Sequence, residues 1–257
     1  MPLLGDPHHS QLVASVAKLR TSLPESLKSV LVITAHWEES QATVSSSKAP
    51  PMYYDYGGFP PDAYKIQYPA PGSPELAART QQLLREANIS STDDPTRGYD
   101  HGTFVPLKLL RPEADLPIVQ LSLLSSLDPK AHLAIGKALA PLRDEGVLIV
   151  GSGSSFHNMK AFMSALRGGG NKIPSKDPSQ VFDDYLTDAI SNPTHTPEQR
   201  LQLLENWESA LYARDAHPRE EHLLPLMVAL GAAQGARGES FSYEIGGLQA
   251  SSFRWSD

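Results

Sequence analysis

Two short apolar runs that each lead to a histidine constrain the fold of this chain most strongly. Leu31–Ile33 continue through two small residues to His36, and GVLIVGSGSS at residues 146–155 is followed by His157. Runs of this length and composition are typical of strands that are buried on both faces, as in parallel sheets. Ligands of such sheets bind at the carboxyl ends of the strands. The two runs therefore predict an α/β fold with imidazoles at one edge of its sheet.

Segments with helical spacing alternate with predicted strands. We predict a single α/β domain over residues 1–257, with a mixed, mostly parallel sheet flanked by helices and the active site at the C-terminal ends of the strands. Pro225 indicates either a kink or the true start of the last helix. Residues 167–178 are predicted to form a mobile loop. Helices are predicted at residues 10–23, 74–87, 129–143, 181–190, 197–211 and 215–235, and further strands near 42–45, 116–124, 241–245 and 248–253, the last two completing the sheet.

Composition excludes several classes of partner. The net charge is −7 and the sequence has no run of basic residues, which argues against nucleic acid and anionic membranes. No apolar run approaches the roughly 18 residues of a membrane span, and the first residues lack the pattern of a secretory signal. The chain has no cysteine. We therefore expect a cytoplasmic protein whose metal ligands, if any, are histidines and carboxylates.

The nine histidines are the main chemical resource of the sequence. Any one of them is more often structural than functional. Several imidazoles at neighbouring strand ends, however, converge on one crevice and can hold a divalent metal. The candidates are His36 and His157 after strands, His101 in the Gly-flanked turn at 98–102, and His217 and His222 on either side of a proline. We interpret the four remaining histidines as surface residues: His8, His9, His132 and His195.

A loop rich in proline, glycine and tyrosine spans residues 49–74 and holds five of the nine tyrosines. Such a segment forms neither a regular helix nor a central strand. Two interpretations stay open: a surface loop stiffened by proline, or one wall of a pocket that binds an aromatic ring.

A series of motifs resembles a known family in the same order along the chain. They are TAHWE (34–38), YDYGGFP (54–60), YPAPGSPELA (68–77), YDHGTFVPL (99–107), ADLPIVQLS (114–122), ALAPLRDEGVLIVGSGSSFHNM (138–159) and AHPREEHLLPL (216–226). The sequence is similar to the class III extradiol ring-cleavage dioxygenases, and most similar to the type that cleaves DOPA at the 4,5-bond.

The resemblance implies a single α/β domain that holds one non-haem iron(II), with zinc as the alternative ion in the same site. His36 and His222 match metal ligands of the family. His157 matches its acid–base residue, and His101 matches a residue of the substrate pocket. The implied substrates are O₂ and a small, DOPA-like aromatic diol, whose ring Tyr56 of the tyrosine-rich loop would contact.

One departure from the family pattern concerns its first metal ligand, which lies in a strand-end motif of the type SHGxP before the first helix. No such motif precedes residue 10 here. Three explanations stay open. The chain is an N-terminally shortened enzyme, or it is a catalytically silent or repurposed member, or His8 or His9 replaces the absent ligand.

Overall fold

A five-stranded sheet forms the centre of the structure, a computed structural model that describes residues 1–166 and 177–256. β1 pairs in parallel with β4 and β5, β2 pairs in parallel with β3, and β2 and β4 are antiparallel. The prediction of a mixed, mostly parallel sheet is therefore confirmed. The strands are β1 (Ser29–Glu39), β2 (Ala42–Ser45), β3 (Ser91–Asp94), β4 (Ile118–Leu124) and β5 (Val147–Ser152), in the order β3-β2-β4-β1-β5.

Helices cover both faces of this sheet. Several begin where a polar side chain precedes a proline: the Ser73 hydroxyl accepts the Leu76 N–H, and Asp128 and Asp177 cap two others in the same way. The helices are α1 (Ser10–Arg20), α2 (Pro74–Glu86), α3 (His101–Leu110), α4 (Pro129–Leu139), α5 (Pro141–Asp144), α6 (Met159–Leu166), α7 (Pro178–Ser191), α8 (Pro197–Glu205), α9 (Ala213–Ala216) and α10 (Leu224–Ala232).

The alternating side chains of β1 divide the core into two clusters. Leu31 and Ile33 pack with residues of α2, α4, α7 and α10 on one face. Val30 and Val32 pack on the other face with a cluster that includes Phe104 of α3. All four β1 side chains are at most 2% exposed. Burial on both faces explains why the strand is a continuous apolar run, and it fixes where the strand ends relative to the helices.

The prediction that the last two strands complete the sheet is wrong. β6 (Glu239–Ile245) and β7 (Leu248–Arg254) form a separate antiparallel hairpin. Its two-residue turn is Gly246–Gly247, with φ values of 58° and 83° that only glycine adopts without strain. Because this turn returns the chain directly, the strands pair with each other and pack on α1 and α7.

Two helix boundaries also differ from prediction, and both concern candidate histidines. His101 does not lie in a turn but is the first residue of α3, because the Asp100 carboxylate accepts the Thr103 N–H and starts the helix there. The final helix does not span 215–235. It begins at Leu224, and Pro225 marks its true start, as one of the two interpretations held.

β5 is an edge strand within the described residues, although Val147–Val150 form an apolar run of the kind found in interior strands. Three of its side chains, Leu148, Ile149 and Val150, are only half-buried. The predicted loop at 167–178 lies outside the described residues except for its last two. In the part of the chain that the structure describes, no helix is both long and apolar enough to cross a membrane.

Candidate active site

His36 lies in an irregular part of β1. The pairing of β1 with β4 is interrupted between residues 33 and 38 and resumes with a shifted register. Inside this interruption, the His36 N–H donates to the Thr34 hydroxyl at 3.2 Å, and that hydroxyl donates to the buried Asp100 carboxylate at 3.0 Å. Interruptions of this kind redirect side chains. The predicted position of His36 after the strand is thus replaced by one within it.

The structure brings together four of the histidines that the sequence singles out. The ring centroids of His36 and His101 lie 3.9 Å apart, and those of His36 and His222 lie 5.0 Å apart. The rings of His157 and His222 stack with centroids 3.4 Å apart and an angle of 15° between their planes. These four side chains come from β1, α3 and two loops, and we call them the histidine cluster.

Asp55 fixes the position of His101. Its Oδ1 accepts the His101 backbone N–H at 2.9 Å and lies 2.8 Å from Nδ1 of the same residue. The other oxygen, Oδ2, is 3.7 Å from Nδ1 of His36. Gly102 allows the His36 ring to lie close to the start of α3, because a Cβ on residue 102 would lie 2.7 Å from Cδ2 of His36. A carboxylate on Nδ1 leaves Nε2 of an imidazole as the free lone pair.

Glu221 contacts the imidazoles of His222 and His157, as Asp55 contacts those of His101 and His36. Its Oε1 lies 2.8 Å from Nδ1 of His222 and 3.5 Å from Nδ1 of His157. Arg219 in turn bridges Glu221 and Glu38 of β1, with Nη1 3.4 Å from the Glu221 carboxylate. The carboxylate therefore orients two imidazoles and is itself held beside the sheet.

Four hydrogen bonds join the loop after β5 to the end of α9 and the segment that follows it, and so align His157 with His222. Backbone N–H groups of Ser154 and His157 donate to carbonyls of residues 222 and 216, at 2.9 and 3.0 Å. The amide of Asn158 donates to the carbonyl of residue 215 at 2.7 Å. The fourth donor is Nε2 of the fully buried His217, 3.0 Å from the Ser155 carbonyl.

Burial and the neighbouring imidazoles keep His36 and His157 neutral. Burial, followed by the neighbouring imidazoles of His101 and His222, lowers the pKa of His36 to about 3. Burial, followed by the imidazole of His222, lowers the pKa of His157 to about 4. At neutral pH both rings therefore offer lone pairs rather than positive charge, which is the protonation state that a metal requires.

The two carboxylates are ionised at the same pH. Burial acts to raise the pKa of Glu221, but the hydrogen bond from His222 and further interactions bring it down to about 2. Burial likewise acts to raise the pKa of Asp55, and hydrogen bonds from the His101 side chain and backbone lower it below its ordinary value. Negative charge beside the imidazoles favours a bound cation.

The donors fit a divalent metal. His36, Asp55 and His101 present ligand atoms within 4.8 Å of one another, and so do His157, Glu221 and His222. Each group consists of two imidazoles and one carboxylate, which are donor types that bind divalent metals. Sequence reasoning missed both carboxylates. Glu221 could have been noticed because it directly precedes a candidate ligand, whereas nothing in the sequence relates Asp55 to His101.

The other histidines lie elsewhere. Neither His8 nor His9 belongs to the clustered metal-ligating groups of the described residues, and Nδ1 of His9 is 2.9 Å from Asp6. The interpretation of His132 as a surface residue is wrong, because it is fully buried and its Nε2 accepts the Leu124 N–H at 3.1 Å. His195 forms an ion pair with Asp188, away from the cluster.

Tyr56 packs edge-on against His101, with ring centroids 5.4 Å apart. Its hydroxyl donates to the Ala63 carbonyl at 2.7 Å, so the loop is internally braced. Further aromatic rings surround it, those of Tyr54, Phe59, Tyr64 and Phe104. The loop thus lines the histidine cluster on its Tyr56 side, while Tyr53 and Tyr64 remain 47% and 38% exposed.

Replacing Glu221 by Gln should weaken divalent-metal binding about 10- to 100-fold, because His222 loses the charged group that orients it at 2.8 Å. Calorimetric titration of the metal-free protein with Zn²⁺ measures this change. The matched control is Glu205→Gln, a change of an exposed residue at the end of α8, which should retain the wild-type affinity. Equal affinities for all three proteins would show that Glu221 has no part in holding a metal.

Comparison with known proteins identifies the family. The family described as the catalytic LigB subunit of aromatic ring-opening dioxygenase matches residues 7–252. Dioxygenase tasH of Hapsidospora irregularis is 41% identical over 248 residues, which cover 91% of this chain and 74% of the relative. The 4,5-DOPA dioxygenase extradiol of Beta vulgaris is 43% identical, with coverage of 85% and 76%. The Escherichia coli K12 protein of the same name is 34% identical, with coverage of 91% and 82%.

A solved structure agrees with these relatives. The crystal structure of an uncharacterized protein from Escherichia coli K12 matches with a TM-score of 0.73 and 31% identity, over 94% of this chain and 91% of that one. The comparisons lend no support to the alternative of a catalytically silent member. The chain belongs to the LigB family and is an extradiol aromatic ring-opening dioxygenase.

Proposed function

We propose that this chain uses iron(II) to insert O₂ into a catechol-type, DOPA-like aromatic diol and open its ring. The observation that carries the proposal is the histidine cluster, in which imidazoles and ionised carboxylates meet within 4.8 Å in each half. Two relatives named 4,5-DOPA dioxygenase extradiol support the substrate class. A cytoplasmic location stays a prediction from the composition.

His36 and His222 would hold the metal. Their centroids lie 5.0 Å apart, so that one ion could be shared by both rings. Glu221 would orient His222 through Nδ1, and Asp55 approaches His36 within 3.7 Å. Bound iron(II) would supply the Lewis acidity and the electron transfer that the reaction of O₂ with a diol requires. Zinc would fit the same donors but would supply no electron.

His157 would act as the acid–base group. Its imidazole is neutral and stacks on His222, so it would lie beside a diol bound at the metal. From there it could accept a proton from one hydroxyl and return it later in the reaction. His101, held by Asp55 on two sides, would contact the substrate, and Tyr56 would pack against the ring.

Metal analysis of variants tests the ligand assignment. The wild-type protein should bind about one Fe²⁺ per chain under anaerobic conditions, whereas His36→Ala and His222→Ala should each lose tight binding. His195→Ala should bind like the wild type. Circular dichroism checks that all variants fold. Unchanged Fe²⁺ affinity in either ligand variant would overturn the assignment of that residue.

A further inference from the structure

An apolar cavity of about 160 Å³ opens beside the histidine cluster and shares His157 with it. One wall comes from α6 and the segment that leads into it, with Phe156, Met159 and Phe162. The opposite wall comes from the β6–β7 hairpin, with Leu248 and Ala250. The hairpin lies outside the main sheet, so nothing in the packing of the sheet itself requires a cavity at this position.

We propose that this cavity binds an apolar substituent of the aromatic diol and makes the enzyme selective for such diols over DOPA. The inference rests on the proposed function, because it takes the diol to bind beside His157. It goes further by naming the chemistry of the part of the substrate that does not react.

The volume sets the size of the substituent. Cavities of about 150 Å³ with apolar walls stay dry and bind benzene. A cavity of about 160 Å³ therefore has room for a phenyl ring or a short alkyl chain. Met159 is 54% exposed at this cavity, so its walls continue to the surface as apolar side chains.

Two of the polar side chains that line the cavity are committed to the protein itself. The Ser154 hydroxyl donates to the Phe156 carbonyl at 2.6 Å. Asn158 donates to a backbone carbonyl and accepts the Ala161 N–H at 3.0 Å. Among the described lining residues, the imidazoles of His9 and His157 and the amide of Gln249, which lies 3.5 Å from a carboxylate oxygen, retain hydrogen-bonding capacity.

The charges of the lining residues decide whether the cavity suits an apolar substituent or the amino-acid group of DOPA. Among the described residues that line the cavity, none is Lys, Arg, Asp or Glu. The ammonium and carboxylate of DOPA would therefore lose water in this cavity without gaining ionic partners among the described lining residues, at a large cost in binding free energy. An alkyl or aryl group would instead gain apolar contact area.

Steady-state kinetics with three diols test the proposal: catechol, butylcatechol and DOPA. We expect wild-type kcat/KM for butylcatechol to exceed that for DOPA by tenfold or more. Ala250→Leu fills the cavity and should lower kcat/KM for butylcatechol by about tenfold or more, with little change for catechol. Phe162→Ala enlarges it and should shift preference toward bulkier substituents. The control Leu211→Ala changes an exposed apolar residue outside the cavity. It should alter neither the ratio of kcat/KM for butylcatechol to that for DOPA nor the ratio of kcat/KM for butylcatechol to that for catechol.

Preference for DOPA over butylcatechol, or an equal loss for catechol and butylcatechol in Ala250→Leu, would overturn the inference. A binding measurement distinguishes failure of the cavity inference from failure of the proposed function. Propylphenol has one hydroxyl and cannot serve as a diol, so its calorimetric binding reports the cavity without turnover. Binding that weakens in Ala250→Leu and persists in Leu211→Ala supports the cavity, even if no diol is cleaved. Binding that is equal in both, or absent from the wild type, contradicts it.

Discussion

Replacing His157 by Ala should lower kcat by about 10²- to 10⁴-fold while Fe²⁺ binding stays close to that of the wild type. The range is that of general acid–base catalysis by a positioned side chain. His157 belongs to the cluster through its stacking on His222, but the proposed ligands are His36 and His222. The variant therefore separates proton transfer from metal binding, which the variants of the ligands cannot do.

Two measurements on the same preparation check this expectation: Fe²⁺ content and the rate of diol cleavage at saturating substrate. His195→Ala serves as the control, because that side chain pairs with Asp188 outside the cluster. A His157→Ala enzyme with full kcat would remove this residue from the proton transfers. A variant that also loses Fe²⁺ would instead make His157 a metal ligand.

Acidification should destabilise the metal-free protein by about 3 kcal/mol between pH 6.5 and pH 4 through His217 alone. The ring is fully buried between Phe182 and Trp207, with centroid distances of 5.5 and 5.9 Å. Burial lowers the pKa of His217 from 6.5 to about 4. Between these values the unfolded chain binds a proton that the folded protein does not, so the free energy of unfolding falls as the pH falls. Well above pH 6.5 the ring is neutral in both states, so this group then contributes no pH dependence.

Urea denaturation at several pH values, with a chelator present, measures this effect. His217→Gln keeps a donor for the Ser155 carbonyl but cannot titrate, so its stability should fall less steeply over the same pH range. Phe182→Leu loses packing against the same ring and should be less stable at every pH, with the wild-type slope. Parallel curves for wild type and His217→Gln would show that His217 does not resist protonation in the folded protein.

The parts of the fold that follow from local chemistry could be predicted. β1 is an apolar run because neighbouring helices cover both its faces, and Ser73 is recognisable as a helix cap from its position before Pro74. The hairpin of β6 and β7 was assigned wrongly because strand propensity says nothing about which strand is the partner. The Gly246–Gly247 turn was the available signal.

The residues of the candidate site could largely be predicted from the sequence, whereas their distances could not. Four histidines at positions 36, 101, 157 and 222 were identified as separate candidates, and the resemblance to a family grouped them. Their distances depend on the interruption in β1 and on the hydrogen bonds between two loops, neither of which has a sequence pattern. Asp55 lies 46 residues from His101 along the chain, so its double hydrogen bond could only be found in the structure.

Oxygen uptake by the Fe²⁺-loaded chain in the presence of a catechol tests the central claim most directly. The account predicts one O₂ consumed per diol, formation of a ring-opened semialdehyde, and loss of uptake in His157→Ala. No uptake by a folded chain that has bound Fe²⁺, with butylcatechol, catechol and DOPA all supplied, would contradict ring opening by this site.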